Sequence, residues 1–102
     1  MTEDEAKYLT ALGDSFLVAA RIRKGNTAAE IHDVLRGGTG ENYHTVGTMA
    51  GLGREATMEV VRDLIERQYL GVEQEGTVVS LLDVGAKWYM TSVLGMEPPA
   101  SS

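Results

Sequence analysis

The sequence predicts a mainly α-helical domain with a small β-hairpin, and three observations lead there. Apolar residues recur at helical spacing through most of the chain, as in Leu9, Leu12 and Phe16, or Val60, Val61, Leu64 and Ile65. Between positions 69 and 81 the period changes to alternation about Glu75-Gly76, which reads as two strands and a turn. After that turn the helical period returns. The 102 residues are 43% hydrophobic, carry a net charge of −6 and include no cysteine. One core therefore suffices, and disulfides, thiolate metal sites and Cys nucleophiles are excluded.

Residues 3–24 predict the first helix. Leu9, Leu12, Phe16 and Ala19/Ala20 form one apolar stripe, and Tyr8, Ala11, Ser15, Val18 and Ile22 form a second beside it. Gly13 weakens its middle and allows a kink. Arg21, Arg23 and Lys24 fall in the expected last turn, and Gly25 supplies a left-handed stop. Thr27 followed by Glu30 is a capping box that starts a second helix with Ala28, Ile31, Val34 and Leu35 inward, ended by Gly37 and Gly38.

Residues 36–44 contain three glycines and read as a loop. Thr45 is placed to cap a short helix reaching Ala50, with Val46 and Met49 inward. A turn through Gly51, Leu52 and Gly53 leads into the clearest helix, residues 54–68. The hairpin follows, and residues 84–95 form the last helix, with Trp88, Met90, Thr91 and Leu94 giving its amphipathic character. Residues 1–97 are thus expected to form one domain and 98–102 a flexible tail.

The stretch 45–64, TVGTMAGLGREATMEVVRDL, resembles the short helix, turn and recognition helix of winged helix-turn-helix regulators. Residues 64–70, LIERQYL, are similar to the exit from that helix, with Gln68 where the family often has Gly. Residues 80–87, SLLDVGAK, resemble the end of the second wing strand in MarR-like and PadR-like proteins, Asp83 standing in for a Thr cap. The resemblance spans residues 27–94. It implies a DNA-binding domain with extra N-terminal and C-terminal helices, whose helix from Arg54 enters the major groove while the hairpin tip lies along the backbone or minor groove.

On that reading Thr45, Arg54, Glu55, Ala56, Met58, Glu59 and Arg62 face double-stranded DNA, and Thr57, Val60, Val61 and Leu64 face inward. Arg54 or Arg62 would pair with guanine or phosphate; the alternative is that both are solvated partners of Glu55, Glu59, Asp63 and Glu66. Residues 54–67 hold three arginines against four carboxylates, and residues 71–85 hold Glu73, Glu75 and Asp83 with no basic residue. Two functions therefore stand: a homodimeric DNA-binding regulator, or a winged-helix module that uses an acidic wing to bind another protein.

Other chemistries find little support. His32 and His44 lack companions for a metal site. The glycine-rich loop lacks the Lys-Ser/Thr of a phosphate loop, and no serine has a nearby histidine. No enzyme activity and no cofactor are expected. Homodimerisation is expected through Leu9, Leu12 and Phe16 of the first helix, assisted by Trp88 and Tyr89 of the last. The longest apolar run, residues 16–20, is far short of the roughly 20 residues that span a bilayer, so a cytoplasmic protein without membrane contact is expected.

Overall fold

Thr2 starts the first helix. Its hydroxyl accepts from the Glu5 N–H while the Glu5 carboxylate accepts from the Thr2 N–H at 2.8 Å, a closed capping box from which α1 (Glu3–Ala19) runs. The computed structural model describes residues 1–99. Its further elements are α2 (Ala28–Gly37), β1 (Glu41–Asn42), α3 (Tyr43–Met49), α4 (Arg54–Glu66), β2 (Leu70–Glu73), β3 (Val78–Leu81) and α5 (Asp83–Ser92). The chain is thus mainly helical, with a small antiparallel sheet in the order β1-β3-β2.

α1 is shorter than the expected 3–24 and ends five residues early. Arg21 takes the left-handed conformation at φ 57°, its N–H donates to the Val18 carbonyl, and the Ile22 N–H donates to Leu17. These are the two bonds of a Schellman ending, completed here without glycine. Arg21, Arg23 and Lys24 consequently follow the last turn rather than occupying it. Gly13 produces no break: α1 is continuous through it, and a Cβ there would collide with the Tyr89 ring. The glycine is a seat for Tyr89.

α1 packs against α2, α3, α4 and α5. That central position corrects the expected dimer surface. Leu9 and Leu12 are 0% exposed, Tyr89 2% and Phe16 6%, all within the protomer's own core. The middle of both stripes, Tyr8, Leu9, Leu12 and Phe16, is covered by these helices and by β3, while Val18, Ala19 and Ala20 near the helix end stay exposed, and each buried leucine contributes roughly 1.5–3 kcal/mol. Of the five residues expected to meet a second copy, only Trp88 stays half-exposed.

The Thr27 and Glu30 box forms as expected at the head of α2. Within the expected loop 36–44, however, Glu41 and Asn42 pair with Val79 and Val78 and add a third strand to the hairpin. The cap of α3 is Asn42 rather than Thr45, its side-chain oxygen accepting from the His44 and Thr45 N–H groups.

β2 and β3 pair from Leu70 with Leu81 to Glu73 with Val78, leaving residues 74–77 as a four-residue turn rather than a dipeptide tip. Gln74, Glu75 and Gly76 all have positive φ there. At α5 the cap is Leu82 and Asp83 is already helical, so Asp83 does not act as the capping side chain. Its carboxylate instead meets Lys87 at 3.0 Å, His32 at 3.0 Å and Arg36 at 3.3 Å, tying α5 to α2. α5 ends at Ser92 rather than 95, and the chain turns back through Gly95 (φ 64°), with the Met96 N–H donating to the Met90 carbonyl. Of the expected tail 98–102, residues 100–102 lie outside the described residues.

Candidate nucleic-acid interface

The helix pair α3 and α4 is set by one close approach. Gly47 of α3 lies against the side chain of Thr57, which is 1% exposed on α4, and a Cβ at Gly47 would overlap it. α3 closes with the Gly51 N–H on the Thr48 carbonyl and the Leu52 N–H on Gly47, Gly51 standing at φ 76°. Four residues then separate α3 from α4. At the far end the Gln68 and Tyr69 N–H groups close α4 on Ile65 and Leu64, with Gln68 at φ 63° where glycine would be unstrained.

The helical period of α4 separates its faces as the sequence predicts. Thr57, Val60, Val61 and Leu64 are buried, while Arg54, Glu55, Met58, Glu59 and Arg62 are exposed and Ala56 is half-buried. Thr45 is exposed on α3. Among the described residues, neither Arg54 nor Arg62 forms an ion pair, so the neighbouring carboxylates do not occupy them. Arg67 is different. Its guanidinium lies 2.9 Å from Glu5 and 5.2 Å from the centre of the Tyr69 ring, so its charge is paired although the side chain stays partly exposed.

The wing is acidic and open. Glu73, Gln74, Glu75, Gly76 and Thr77 are all exposed, and the turn is braced by the Thr77 hydroxyl donating to the Gln74 carbonyl at 2.7 Å. Between the wing and α4 runs an open groove of about 440 Å³, floored by Tyr43, Met58, Val61 and Ile65 and edged by Arg62, Glu66 and Glu75. Sequence reading missed Tyr43, Glu66 and the outward side of Ile65. The spacing Met58, Val61/Arg62, Ile65 is a helical stripe that could have marked them.

Other titratable groups serve the scaffold. Burial raises the Glu5 carboxyl, but the Thr2 N–H and the Arg67 charge outweigh it and hold the group below its ordinary value. Asp83 is lowered first by its hydrogen bond to Lys87, against a burial effect that raises it, and further by His32 and Arg36. Burial pushes the Tyr8 and Tyr89 hydroxyls up. Tyr8 donates to the Tyr43 carbonyl at 2.8 Å, at the head of α3, and Tyr89 donates to Asp14. His32 is committed to Asp83, and His44 stands edge-on to Tyr43. Among the described residues no cluster of three or more His, Cys, Asp or Glu is arranged to hold a metal, and no helix is long and apolar enough to cross a membrane.

No family model, no curated protein and no solved structure matches the chain.

Proposed function

We propose that this chain is a winged helix-turn-helix protein that binds double-stranded DNA as a homodimer, with α4 in the major groove and the residue 74–77 turn beside the backbone. The observation that carries the reading is the exposed face of α4. It presents Arg54 and Arg62, without ion-pair partners among the described residues, on the second helix of a short-helix, turn, long-helix pair that continues into a hairpin. The order β1-β3-β2 supports it, because β1 immediately before α3 anchors the helix pair to the wing.

Charge sets the terms of binding. Glu73 and Glu75 at the wing repel phosphate, so the arginines of α4 supply the attraction and two copies are required to add it up. The surface for the second copy lies on α5, where Val84, Trp88 and Thr91 follow one helical stripe and Val84 is 45% exposed. Replacing Arg54 and Arg62 together by Ala tests the assignment. DNA affinity falls if α4 reads DNA, and an unchanged affinity contradicts it.

A second reading has its own observation in favour. The groove over Tyr43, Met58, Val61 and Ile65, edged by Glu66 and Glu75, suits an apolar side chain with a basic neighbour better than it suits phosphate. On this reading the same face binds a protein segment and no DNA. Absence of DNA binding at low salt would leave it standing.

A further inference from the structure

A second groove lies away from α4, where the end of α1, the α1–α2 connection and the segment after α5 meet. Its volume is about 430 Å³, within the roughly 300–1,000 Å³ typical of small-molecule sites. Leu17, Ile22, Ile31, Leu94 and Met96 supply an apolar wall. The polar lining is confined to one place, because Arg23, Lys24 and Asn26 are near-neighbours in the connection. The groove is therefore greasy along its wall and cationic at one end.

That end is built rather than incidental. The Schellman ending of α1 turns Ile22 back onto Leu17, and the Arg23 N–H donates to the Asn26 side-chain oxygen at 2.8 Å, closing a small loop that carries Arg23 and Lys24. Both side chains are exposed, and among the described residues neither forms an ion pair. The Glu30 carboxylate, beside this loop, is engaged by the Thr27 N–H at 2.9 Å and by Asn26 at 3.4 Å. On a protein of net charge −6, two unneutralised cations at the mouth of an apolar groove are complementary to a single-headed anion.

We propose that this groove binds a medium-chain aliphatic carboxylate, with the alkyl chain along Leu17, Ile22, Ile31, Leu94 and Met96 and the carboxylate on Arg23 and Lys24. An amphipathic helix would need apolar anchors over several turns; the single polar end and the limited volume favour a small amphiphile.

Decanoate, kept below its micelle concentration, is the probe, titrated into the intact protein and followed by amide chemical shifts. The expected result is saturable binding, with shifts concentrated at residues 22–26 and 94–96. Decanol and acetate each bind much more weakly, since each lacks one half of the complementarity. Arg23→Ala with Lys24→Ala weakens decanoate binding by about tenfold and leaves the folded spectrum intact. Ile22→Asp, checked by circular dichroism, abolishes it. Failure to saturate, equal binding of decanol, or indifference to the double alanine variant overturns the proposal.

Discussion

The carboxylate of Glu5, in the first turn of α1, lies 2.9 Å from the guanidinium of Arg67 at the end of α4. The same carboxylate accepts from the Thr2 N–H, so one side chain caps α1 and fixes the C-terminus of the proposed reading helix. Glu5 is 5% exposed. Arg67→Ala leaves that buried carboxylate with the capping bond alone and is expected to cost about 2 kcal/mol, measured by urea unfolding at neutral pH. A cost no larger than for an exposed helix pair would show the contact to be idle.

The acid limb of stability follows from the same group. Glu5 and Asp83 are both held below their ordinary values of 4.5 and 3.8, so the stability they confer is fully present above those values. It is lost as pH falls through the lower folded-state values. Glu5→Gln is therefore expected to lower stability at pH 7 and to flatten the decline below about pH 4.5. Parallel acid limbs for the two proteins would contradict this.

Gly47 and Thr57 set the spacing of α3 and α4. Gly47→Ala is expected to destabilise by about 1–3 kcal/mol through overpacking. Thr57→Ala in the same chain should return part of that loss, so a double-mutant cycle gives a favourable coupling between the two alanines. Purely additive costs would place the strain elsewhere.

Gln68 ends α4 in the left-handed region, where a side chain costs roughly 1–2 kcal/mol. Gln68→Gly removes that cost and adds some unfolded-state entropy. The expected net gain is about 0.5–1 kcal/mol, read as a raised urea midpoint at constant slope.

Association through α5 has a direct test. Val84→Asp with Trp88→Ala should convert a dimer to a folded monomer in light scattering at micromolar concentration, with circular dichroism unchanged. A wild-type monomer at that concentration would remove the homodimer. Substitutions at Leu9 or Leu12 report on folding instead, because both lie in the protomer core.

Much of this architecture is written locally. The Thr27 and Glu30 box, the inward set Thr57, Val60, Val61 and Leu64, and the alternation that becomes β2 and β3 each depend on a few neighbours in sequence. What escaped depends on distant partners. Glu41 and Asn42 become a strand only because β3 supplies the other half of the ladder. Asn42 displaces Thr45 as the cap because that strand delivers it to the head of α3. The stripe of Leu9, Leu12 and Phe16 signals burial but not by what, and α1 buries it against α2, α3, α4, α5 and β3 of its own chain. Arg21 and Gln68 end their helices without the glycine that marks such endings in sequence, which is why α1 reads as five residues too long. On the candidate interface, the exposure of Arg54 and Arg62 follows from helical period alone. Their lack of ion pairs among the described residues depends on where the side chains of Glu55, Glu59, Asp63 and Glu66 settle, which the period does not fix.

The central proposal is that α4 binds DNA, and fluorescence anisotropy on mixed-sequence and genomic duplexes across a salt series tests it most directly. Binding is expected at low salt, with log affinity falling linearly as log salt rises, and a shallower slope once Arg54 and Arg62 are both alanine. No binding at low salt, or an affinity and slope untouched by the double substitution, would contradict it.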